Sequence, residues 1–410
     1  MIGSLYSGIS GLKANTSAMT VIGDNIANVD TTGFKVSRVS FSNVFNAALG
    51  QSRMQIGRGV TMSGISSNWN SGTMETTNTV TDLAINGQGM FIVRDPSNGG
   101  QYYSRAGQFE FDRDSYLVTQ DGLRVMGYPI DVTTGALGSM SAITLPAGMS
   151  APQATTGITM ELNLDAGAAV GDTYDTTVTT YDSLGNPVEL TFNFECTAAN
   201  TWEYSVTPST GAATPAAAAP NTLVFNSSGQ LVPGSCVPAS ANPTIAISGL
   251  TPAADMSVTW SVLDTTGATD GSVTGYAANS VKTSQTQDGY PSGMMQGISV
   301  DEDGVFTALY SNGTMLSFAQ VALADFASYS GLAKQGSNLF TSTLASGQPV
   351  ISAPNTAGVG AIAPSSLEMS NVDLATEFVE LITTQRAFQA NSKVITTSDE
   401  VLSDLINIKR

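Results

Sequence analysis

The sequence predicts a mainly β protein whose two ends are α-helices, and three observations lead to that prediction. Apolar residues recur every seven positions at both ends of the 410-residue chain. Between the ends, apolar and polar residues alternate, and Asn-Gly, Asp-Gly and other glycine turns interrupt the alternation. Residues 147–284 are rich in Ala, Thr, Pro and Gly. We therefore expect the terminal helices to pair as a coiled-coil-like layer, with nested β-rich domains between them.

The N-terminal helix is predicted from two apolar stripes with heptad spacing. Ile9 lies on one stripe, and the other consists of Leu5, Leu12, Met19 and Ile26. The same segment contains Gly3, Gly8, Gly11 and Gly23. Each glycine costs about 1 kcal/mol relative to alanine inside a helix, so this helix needs a packing partner. Folding coupled to assembly is the expectation.

The C-terminal helix is predicted from one line of apolar residues spaced by seven. Its members are Leu374, Leu381, Phe388, Ile395 and Leu402, and Phe378 lies on a second, interrupted line. Asn371 or Asp373 is expected to cap the start of the helix. We expect the two terminal helices to carry self-assembly contacts. Two ordinary core helices of a single globular domain are the alternative.

The predicted organisation is nested. Residues 1–30 and 366–410 form the terminal helices, 31–72 and 359–365 a connector of extended and β segments, 73–146 and 285–358 a discontinuous β-domain, and 147–284 an inserted outer β-domain. Inside the discontinuous domain, Phe109–Asp114 and Ile298–Asp303 are each followed by a strand and a turn, which predicts one hairpin design used twice. The low-complexity segment Thr210–Pro220 is predicted to be a loop.

The residue inventory excludes most kinds of catalytic site. The chain has no histidine, which removes histidine-dependent nucleophiles, general bases and nearly all histidine-containing zinc sites. Cys196 and Cys236 fit no CxxC spacing, and both a disulfide and two free thiols remain open. The pair Gly87 and Gly89 precedes a strand, so it is predicted to be a hairpin turn and not a phosphate loop. We expect no enzyme activity, cofactor or metal.

Charge and hydropathy exclude two further classes of partner. A net charge of −18 argues against nucleic-acid binding, which depends on Lys and Arg. No run of 18 apolar residues occurs, so membrane insertion is not expected. The first twenty residues lack the basic and continuously apolar regions of a Sec signal peptide. An extracellular protein with this sequence would need another export route.

Motifs at the two ends resemble a known family. Asn25–Lys35 (NIANVDTTGFK) is similar to the N-terminal signature of the flagellar rod, hook and hook-associated axial proteins, and Ser370–Leu374 (SNVDL) with Gln385–Asn391 (QRAFQAN) is similar to their C-terminal signature. The motif positions are Asn25, Asn28, Thr31, Gly33, Phe34, Lys35, Asn371, Asp373, Gln385, Arg386 and Asn391. The resemblance covers the whole chain and is weakest over 147–284.

The resemblance implies a structural subunit without a cofactor. The long insertion favours the hook proteins, whose subunits form a hollow, bendable tube that passes torque from rod to filament as a universal joint. A distal rod or hook-associated protein is the nearer alternative, and a secreted β-rich adhesin or glycan-binding module is the alternative from another class. Implied partners are further copies in a helical homopolymer, the rod, the hook cap, the hook–filament junction proteins and the flagellar type III export apparatus. The implied location is extracellular, in the hook next to the basal body.

Overall fold

The computed structural model describes residues 2–45, 57–132, 134–215, 221–232, 242–264, 268–356 and 358–408. Helix α1 (Ile2–Ala27) and helix α2 (Leu374–Ile408) lie at the two ends, and most of the described chain between them is β-structure. This confirms the predicted fold class. The chain divides into two compact units. Unit 1 is Met1–Pro146, Ile298–Ala308 and Leu316–Arg410, and unit 2 is Ala147–Gly297 and Leu309–Met315.

The strands are numbered in chain order. The first ten belong to unit 1: β1 (Ser37–Phe45), β2 (Gly57–Ser67), β3 (Met74–Thr76), β4 (Leu83–Asn86), β5 (Met90–Arg94), β6 (Gln101–Ser104), β7 (Phe109–Phe111), β8 (Leu117–Thr119), β9 (Arg124–Pro129) and β10 (Ser141–Ala142). Unit 2 contains β11 (Met149–Ser150), β12 (Gly157–Asn163), β13 (Thr173–Tyr181), β14 (Pro187–Ala198), β15 (Thr201–Pro208), β16 (Ala212–Pro215), β17 (Thr222–Val224), β18 (Thr244–Ser248), β19 (Met256–Ser261), β20 (Val273–Thr274) and β21 (Val281–Gln287). Three strands include residues of both units: β22 (Gly293–Val300), β23 (Val305–Tyr310) and β24 (Met315–Val321). The last six return to unit 1: β25 (Leu323–Asp325), β26 (Ala333–Gly336), β27 (Leu339–Thr341), β28 (Val350–Ser352), β29 (Ala361–Pro364) and β30 (Ser366–Glu368).

Helix α2 begins at Leu374, directly after one of the two predicted caps. Ser366–Glu368, at the start of the predicted terminal segment 366–410, form strand β30, which pairs antiparallel with β3. The helix begins after Asp373, whose carboxylate accepts hydrogen bonds from the Ala375 backbone N–H at 3.0 Å and from the Thr376 hydroxyl at 2.8 Å. These bonds, first of all the one from Thr376, lower the pKa of the Asp373 carboxyl. Asp373 is therefore the N-cap, a position that favours a short acidic side chain.

Two turns in unit 1 share the predicted hairpin design. In the first, the Asp112 carboxylate accepts a bond from the Tyr116 backbone N–H at 2.8 Å. In the second, Asp301 accepts the same bond from Val305 at 2.8 Å. An aspartate that satisfies the N–H four residues later fixes a tight turn between neighbouring strands. The prediction of a hairpin turn at Gly87 and Gly89 is wrong, because the strands on either side do not pair with each other. Strand β4 pairs with β29, and β5 pairs with strands of another sheet, so Gly87–Gly89 form a corner between two sheets.

Two sheets of unit 2 contribute to an aromatic core. One sheet has the order β13–β14–β15–β17, and the other has the order β16–β18–β19–β12–β20 with β21 beside β12. Their core includes Trp260, whose ring centroid lies 5.3 Å from that of Tyr204. Cys196 is buried in this core, and Cys236 lies outside the described residues. The loop predicted at Thr210–Pro220 is wrong in part: Ala212–Pro215 form β16, which pairs with β18.

Candidate assembly site at the chain ends

The two terminal helices pack against each other, antiparallel, within one chain. Near the start of α1, the hydroxyl oxygens of Ser4 and Ser398 lie 3.4 Å apart. Near its end, the Asn25 side-chain amide donates to the Glu377 carboxylate at 3.1 Å. The first turns of α1 therefore lie beside the last turns of α2, and the last turns of α1 beside the first turns of α2.

Small residues of α1 form the face that contacts α2. Gly8 and Gly11 are both buried. A Cβ atom added at Gly8 would lie 2.9 Å from the Cγ1 atom of Ile395, and one added at Gly11 would lie 2.8 Å from the side chain of Asn391. These glycines therefore allow a close approach of the two helices. Two of the four glycines that lower the intrinsic helix propensity are thus explained by packing.

One member of the apolar stripes predicted from the sequence, Ile395, lies on this contact face beside Gly8. The half-buried members are Leu5, Leu12, Met19, Ile26, Leu381, Phe388, Ile395 and Leu402. Ile9, Leu374 and Phe378 are exposed, with 37%, 39% and 48% of their surface accessible. The structure brings the helices together but leaves much of both stripes uncovered. The role of these residues in assembly remains a prediction.

The structure adds exposed apolar residues that the heptad analysis missed. On α2 these are Val379, Ile382, Val394 and Val401, and on the β1–β2 ribbon they are Phe41, Val44, Met62 and Ile65. The exposed face of α2 could have been predicted from the sequence, because Leu374, Phe378 and Ile382 are spaced by four residues and therefore share one helix face. The β1–β2 residues gave no comparable signal, because alternation alone does not tell which face of a two-stranded ribbon is covered.

Several motif residues join the chain ends through buried hydrogen bonds. The Asn25 side chain accepts a bond from the Ser37 backbone N–H and donates to the Ser37 carbonyl, both at 2.9 Å. The Asn371 side chain accepts from the Val36 N–H at 2.8 Å. The Gly33 N–H donates to the Glu368 carbonyl at 2.7 Å. The φ angle of Gly33 is +70°, and a Cβ atom added to Gly33 would lie within 3 Å of backbone atoms of residues 105 and 106. Only glycine fits at that position.

A buried ionic cluster lies beneath this junction. The Glu368 carboxylate accepts bonds from the Lys35 ammonium at 2.6 Å, the Arg105 guanidinium at 3.1 Å and the Gly72 N–H at 2.9 Å. Lys35 and Arg105 are each 2% exposed, and Glu368 is fully buried. Burial lowers the pKa of the Lys35 ammonium, while Glu368 opposes that shift. We name Lys35, Arg105 and Glu368 the ionic triad.

Of the ionic triad, only Lys35 was predicted from the sequence to be a site residue, and Arg105 and Glu368 were not. Lys35 ends the N-terminal motif, whereas Glu368 lies two residues before the C-terminal one. Arg105 also donates to the carbonyls of Ile85 and Gly87, so it ties the triad to β4 and the corner that follows it. Arg105 directly follows β6 and lies between the polar residues Ser104 and Gln108, so the local sequence gave no signal that its side chain is buried.

The remaining motif residues have local roles or are exposed. The Asn28 side chain accepts a bond from the Thr31 hydroxyl at 3.0 Å, which closes the turn after α1. Phe34 is buried. The Asn391 side chain donates to the Ala387 carbonyl on its own helix at 3.0 Å. Gln385 and Arg386 are exposed on α2. The site as a whole offers packing surfaces and a rigid junction.

The described residues contain neither a metal-binding cluster nor a membrane-spanning helix. No group of three His, Cys, Asp or Glu side chains with metal-binding geometry occurs in the described part of the chain. None of the helices there is both long and apolar enough to span a bilayer.

Four family models match segments of the chain. Residues 5–35 match the model for flagella basal body rod proteins, and residues 84–161 match the D1 domain model of the flagellar hook protein FlgE/F/G. Residues 151–290 match the D2 domain model of the flagellar basal body protein FlaE, and residues 363–408 match the model for the flagellar basal body rod FlgEFG protein C-terminal region. These models lie in the order expected for one axial protein.

Full-length relatives agree with these models. The flagellar hook protein FlgE of Escherichia coli (strain K12) is 34% identical over 417 residues, covering 98% of each chain. The FlgE of Borreliella burgdorferi is 32% identical over 448 residues, covering 100% of both. The crystal structure of Helicobacter pylori flagellar hook protein FlgE2 shares the fold, with a TM-score of 0.55 and 15% identity over 72% of this chain and 100% of that one. The chain belongs to the flagellar hook protein family.

Proposed function

We propose that copies of this chain polymerise into the hollow, bendable tube of the flagellar hook, which transmits torque from rod to filament as a universal joint. In this proposal the helix pair forms the inner layer of the tube. The predicted discontinuous domain (73–146 and 285–358) and the inserted domain (147–284) form the layers outside it. The family membership supports a structural subunit, and the exposed apolar surface of the chain ends supports self-assembly.

The observation that carries the proposal is the exposed apolar face of α2. Phe378, Val379 and Ile382 are 48%, 61% and 52% exposed, although they lie in the first three turns of a 35-residue helix. Each such side chain gains on the order of 1.5–3 kcal/mol when it is fully buried. A cluster of this kind marks an interface. Because α1 already contacts another face of α2 and no other described residue covers these side chains, we propose that the partner is a neighbouring copy.

The β1–β2 ribbon extends the exposed apolar surface of unit 1. Phe41 and Ile65 are 42% and 53% exposed. The ribbon is also attached to α1, because the Val60 N–H donates to the Ser10 hydroxyl at 3.2 Å. A neighbouring copy that covers the helix pair would therefore meet the ribbon as part of the same rigid surface. Contacts between two different surfaces form a ring when the rotation from copy to copy closes and a helical assembly when it does not, and the proposal takes the second case.

The further partners follow from the same assignment. A tube between rod and filament needs contacts with rod proteins at one end and with hook–filament junction proteins at the other, and a hook cap at its growing tip. Export through the flagellar type III apparatus would deliver the subunit to the outside without a Sec signal. We propose these partners on family grounds, since no described surface distinguishes one of them from another.

The experiment replaces the exposed apolar face while sparing the helix pair. The double variant Phe378→Asp, Ile382→Asp is expressed in cells whose own hook gene is deleted, and shed or purified particles are imaged by negative-stain electron microscopy. We expect tubes from the unchanged chain and none from the variant, because burying carboxylates without partners costs several kcal/mol.

The matched control is Thr397→Asp, a polar-to-acidic change at an exposed position on the same helix. The control should form tubes, and all proteins should keep the same circular dichroism spectrum. Normal tubes from the double variant would refute the role of this face. The absence of tubes from the unchanged chain, exported and folded, would refute the proposed function itself.

A further inference from the structure

An apolar stripe crosses neighbouring strands on one exposed sheet face of unit 2. Met149 on β11 lies directly opposite Met294 on β22 in the antiparallel register. The Ser311 backbone N–H donates to the Met294 carbonyl at 2.9 Å, which places the end of β23 beside β22. Directly opposite residues share a face, and so do residues two apart on one strand. Leu309 therefore lies on the same face as Met294.

The hairpin after β23 adds a fourth apolar side chain. The Tyr310 N–H donates to the Thr314 carbonyl at 3.0 Å, so the turn sets Leu309 opposite Met315. Tyr310, the next residue after Leu309 on β23, lies on the opposite face of the sheet and is 2% exposed. We name Met149, Met294, Leu309 and Met315 the methionine stripe. Three strand spacings of about 4.8 Å give it a span of about 15 Å.

The methionine stripe is strongly exposed in the isolated chain. Met149, Met294 and Met315 are 62%, 67% and 74% exposed, and Leu309 is 38% exposed. Single exposed apolar residues are common on protein surfaces and need no explanation. An aligned row of four on one face is a different observation, because contiguous apolar patches mark interaction surfaces.

The segments of unit 2 that carry the stripe contain no charged residue, although unit 2 is strongly acidic. Residues 147–160, 289–297 and 309–315 contain no Asp, Glu, Lys or Arg, whereas unit 2 as a whole has twelve acidic residues and one basic residue, Lys282. Another face of unit 2 places Glu195 directly opposite Glu203 across two strands. Two copies of such a unit repel each other. A contact between copies therefore costs least at the uncharged stripe.

We propose that the methionine stripe packs against a second copy of this chain in the polymer, an inference that rests on the proposed function. A stable free complex buries about 800 Å² per partner, which four side chains do not supply. The stripe therefore suits a neighbour that other contacts already hold close, since tethering raises the effective concentration. Methionine side chains are flexible and adapt to changed packing. The contact can then persist while neighbouring copies shift during bending.

The test measures whether the stripe is covered in tubes. In a background with Cys196→Ala and Cys236→Ser, a single cysteine is introduced as Met294→Cys or Met315→Cys, with Glu203→Cys as the exposed control. Maleimide labelling is timed on monomers and on isolated tubes. We expect the two stripe cysteines to label about tenfold more slowly in tubes, because labelling requires the contact to open. The control cysteine should label at nearly the same rate in both.

The identity of the covering molecule is tested separately. A photo-crosslinking amino acid at position 315 is activated in tubes, and the products are identified by peptide mass spectrometry. Products that contain only this chain support the inference, and products with another polypeptide overturn it. Equal labelling of stripe and control cysteines in tubes overturns the inference and leaves the proposed function standing. Absence of tubes from the unchanged chain, exported and folded, overturns both.

Discussion

Removing the carboxylate of the ionic triad should destabilise unit 1 severely. In the variant Glu368→Ala, the ammonium of Lys35 and the guanidinium of Arg105 lose the anion that lies 2.6 Å and 3.1 Å away. Both cations are buried, so water does not replace the lost partner. Removing one member of a buried ion pair typically costs about 3–5 kcal/mol. That is a large fraction of the 5–15 kcal/mol that is usual for a folded domain.

The assay is urea denaturation combined with peptide-level hydrogen exchange. Exchange should accelerate in peptides from β3, β4 and β30 of unit 1, while peptides from the aromatic core of unit 2 should change little. Glu110→Ala is the matched control, because Glu110 is an exposed glutamate of unit 1. Its unfolding free energy should change by no more than about 0.5 kcal/mol.

A double-mutant cycle separates the pair from its surroundings. Lys35→Met and Glu368→Gln are measured singly and together, and we expect a coupling energy of about 0.5–3 kcal/mol, as is usual for groups in one network. A Glu368→Ala variant whose unfolding free energy lies within 1 kcal/mol of the unchanged chain would refute the reasoning. It would mean that the triad does not hold the chain ends to the rest of unit 1.

Three further predictions concern the helix pair, acid and salt. Gly23→Ala should stabilise α1 by about 1 kcal/mol and raise the melting temperature, because a Cβ atom added at Gly23 meets no atom within 4 Å. Gly8→Val should reduce the helical circular dichroism signal, because a Cβ atom at Gly8 would already lie 2.9 Å from Ile395. Burial acts to raise the pKa of the Asp182 carboxyl, but bonds from Asn186 and from the Leu184 N–H outweigh it and hold the pKa below 3.8. The ionised Asp182 carboxylate therefore stabilises unit 2 fully above the pKa that this carboxyl has in the unfolded chain, and the stabilisation is lost as the pH falls through its pKa in the folded chain. In the Asp182→Asn variant, the unfolding free energy of unit 2 should depend less on pH in this acidic range. Raising the ionic strength to about 0.15 M shortens the screening length to about 8 Å, which weakens the repulsion between the acidic subunits. The critical concentration for assembly, measured by sedimentation, should therefore fall. An unchanged or higher critical concentration would contradict this expectation.

Periodicity predicted the elements well because each period has a geometric cause. The seven-residue spacing located both helices, and the observed α1 (Ile2–Ala27) lies within the predicted segment 1–30. Aspartate turns located two hairpins, since the carboxylates of Asp112 and Asp301 each accept a bond from the backbone N–H four residues later. The four-part division of the chain remains a prediction beside the two compact units.

Periodicity did not predict which molecule covers each apolar face. The pairing of the helices was predicted, but not that Gly8 and Gly11 of α1 would lie against Ile395 and Asn391 of α2. The assembly role of the stripe that contains Leu12 and Met19 stays a prediction. An apolar pattern shows only that some surface must be covered, and it does not distinguish the same chain from a neighbour. Glu368 was missed for a related reason: its importance depends on Arg105, which lies 263 positions away in sequence.

The most direct test of the central claim is a high-resolution electron cryomicroscopy reconstruction of the particles that this chain forms. The claim is that the apolar face of α2 is covered by neighbouring copies in a hollow tube. It predicts α1 and α2 in the innermost layer, with Phe378 and Ile382, now 48% and 52% exposed, buried against another copy. A tube in which these side chains still face solvent, or in which the helices lie on the outside, would contradict it.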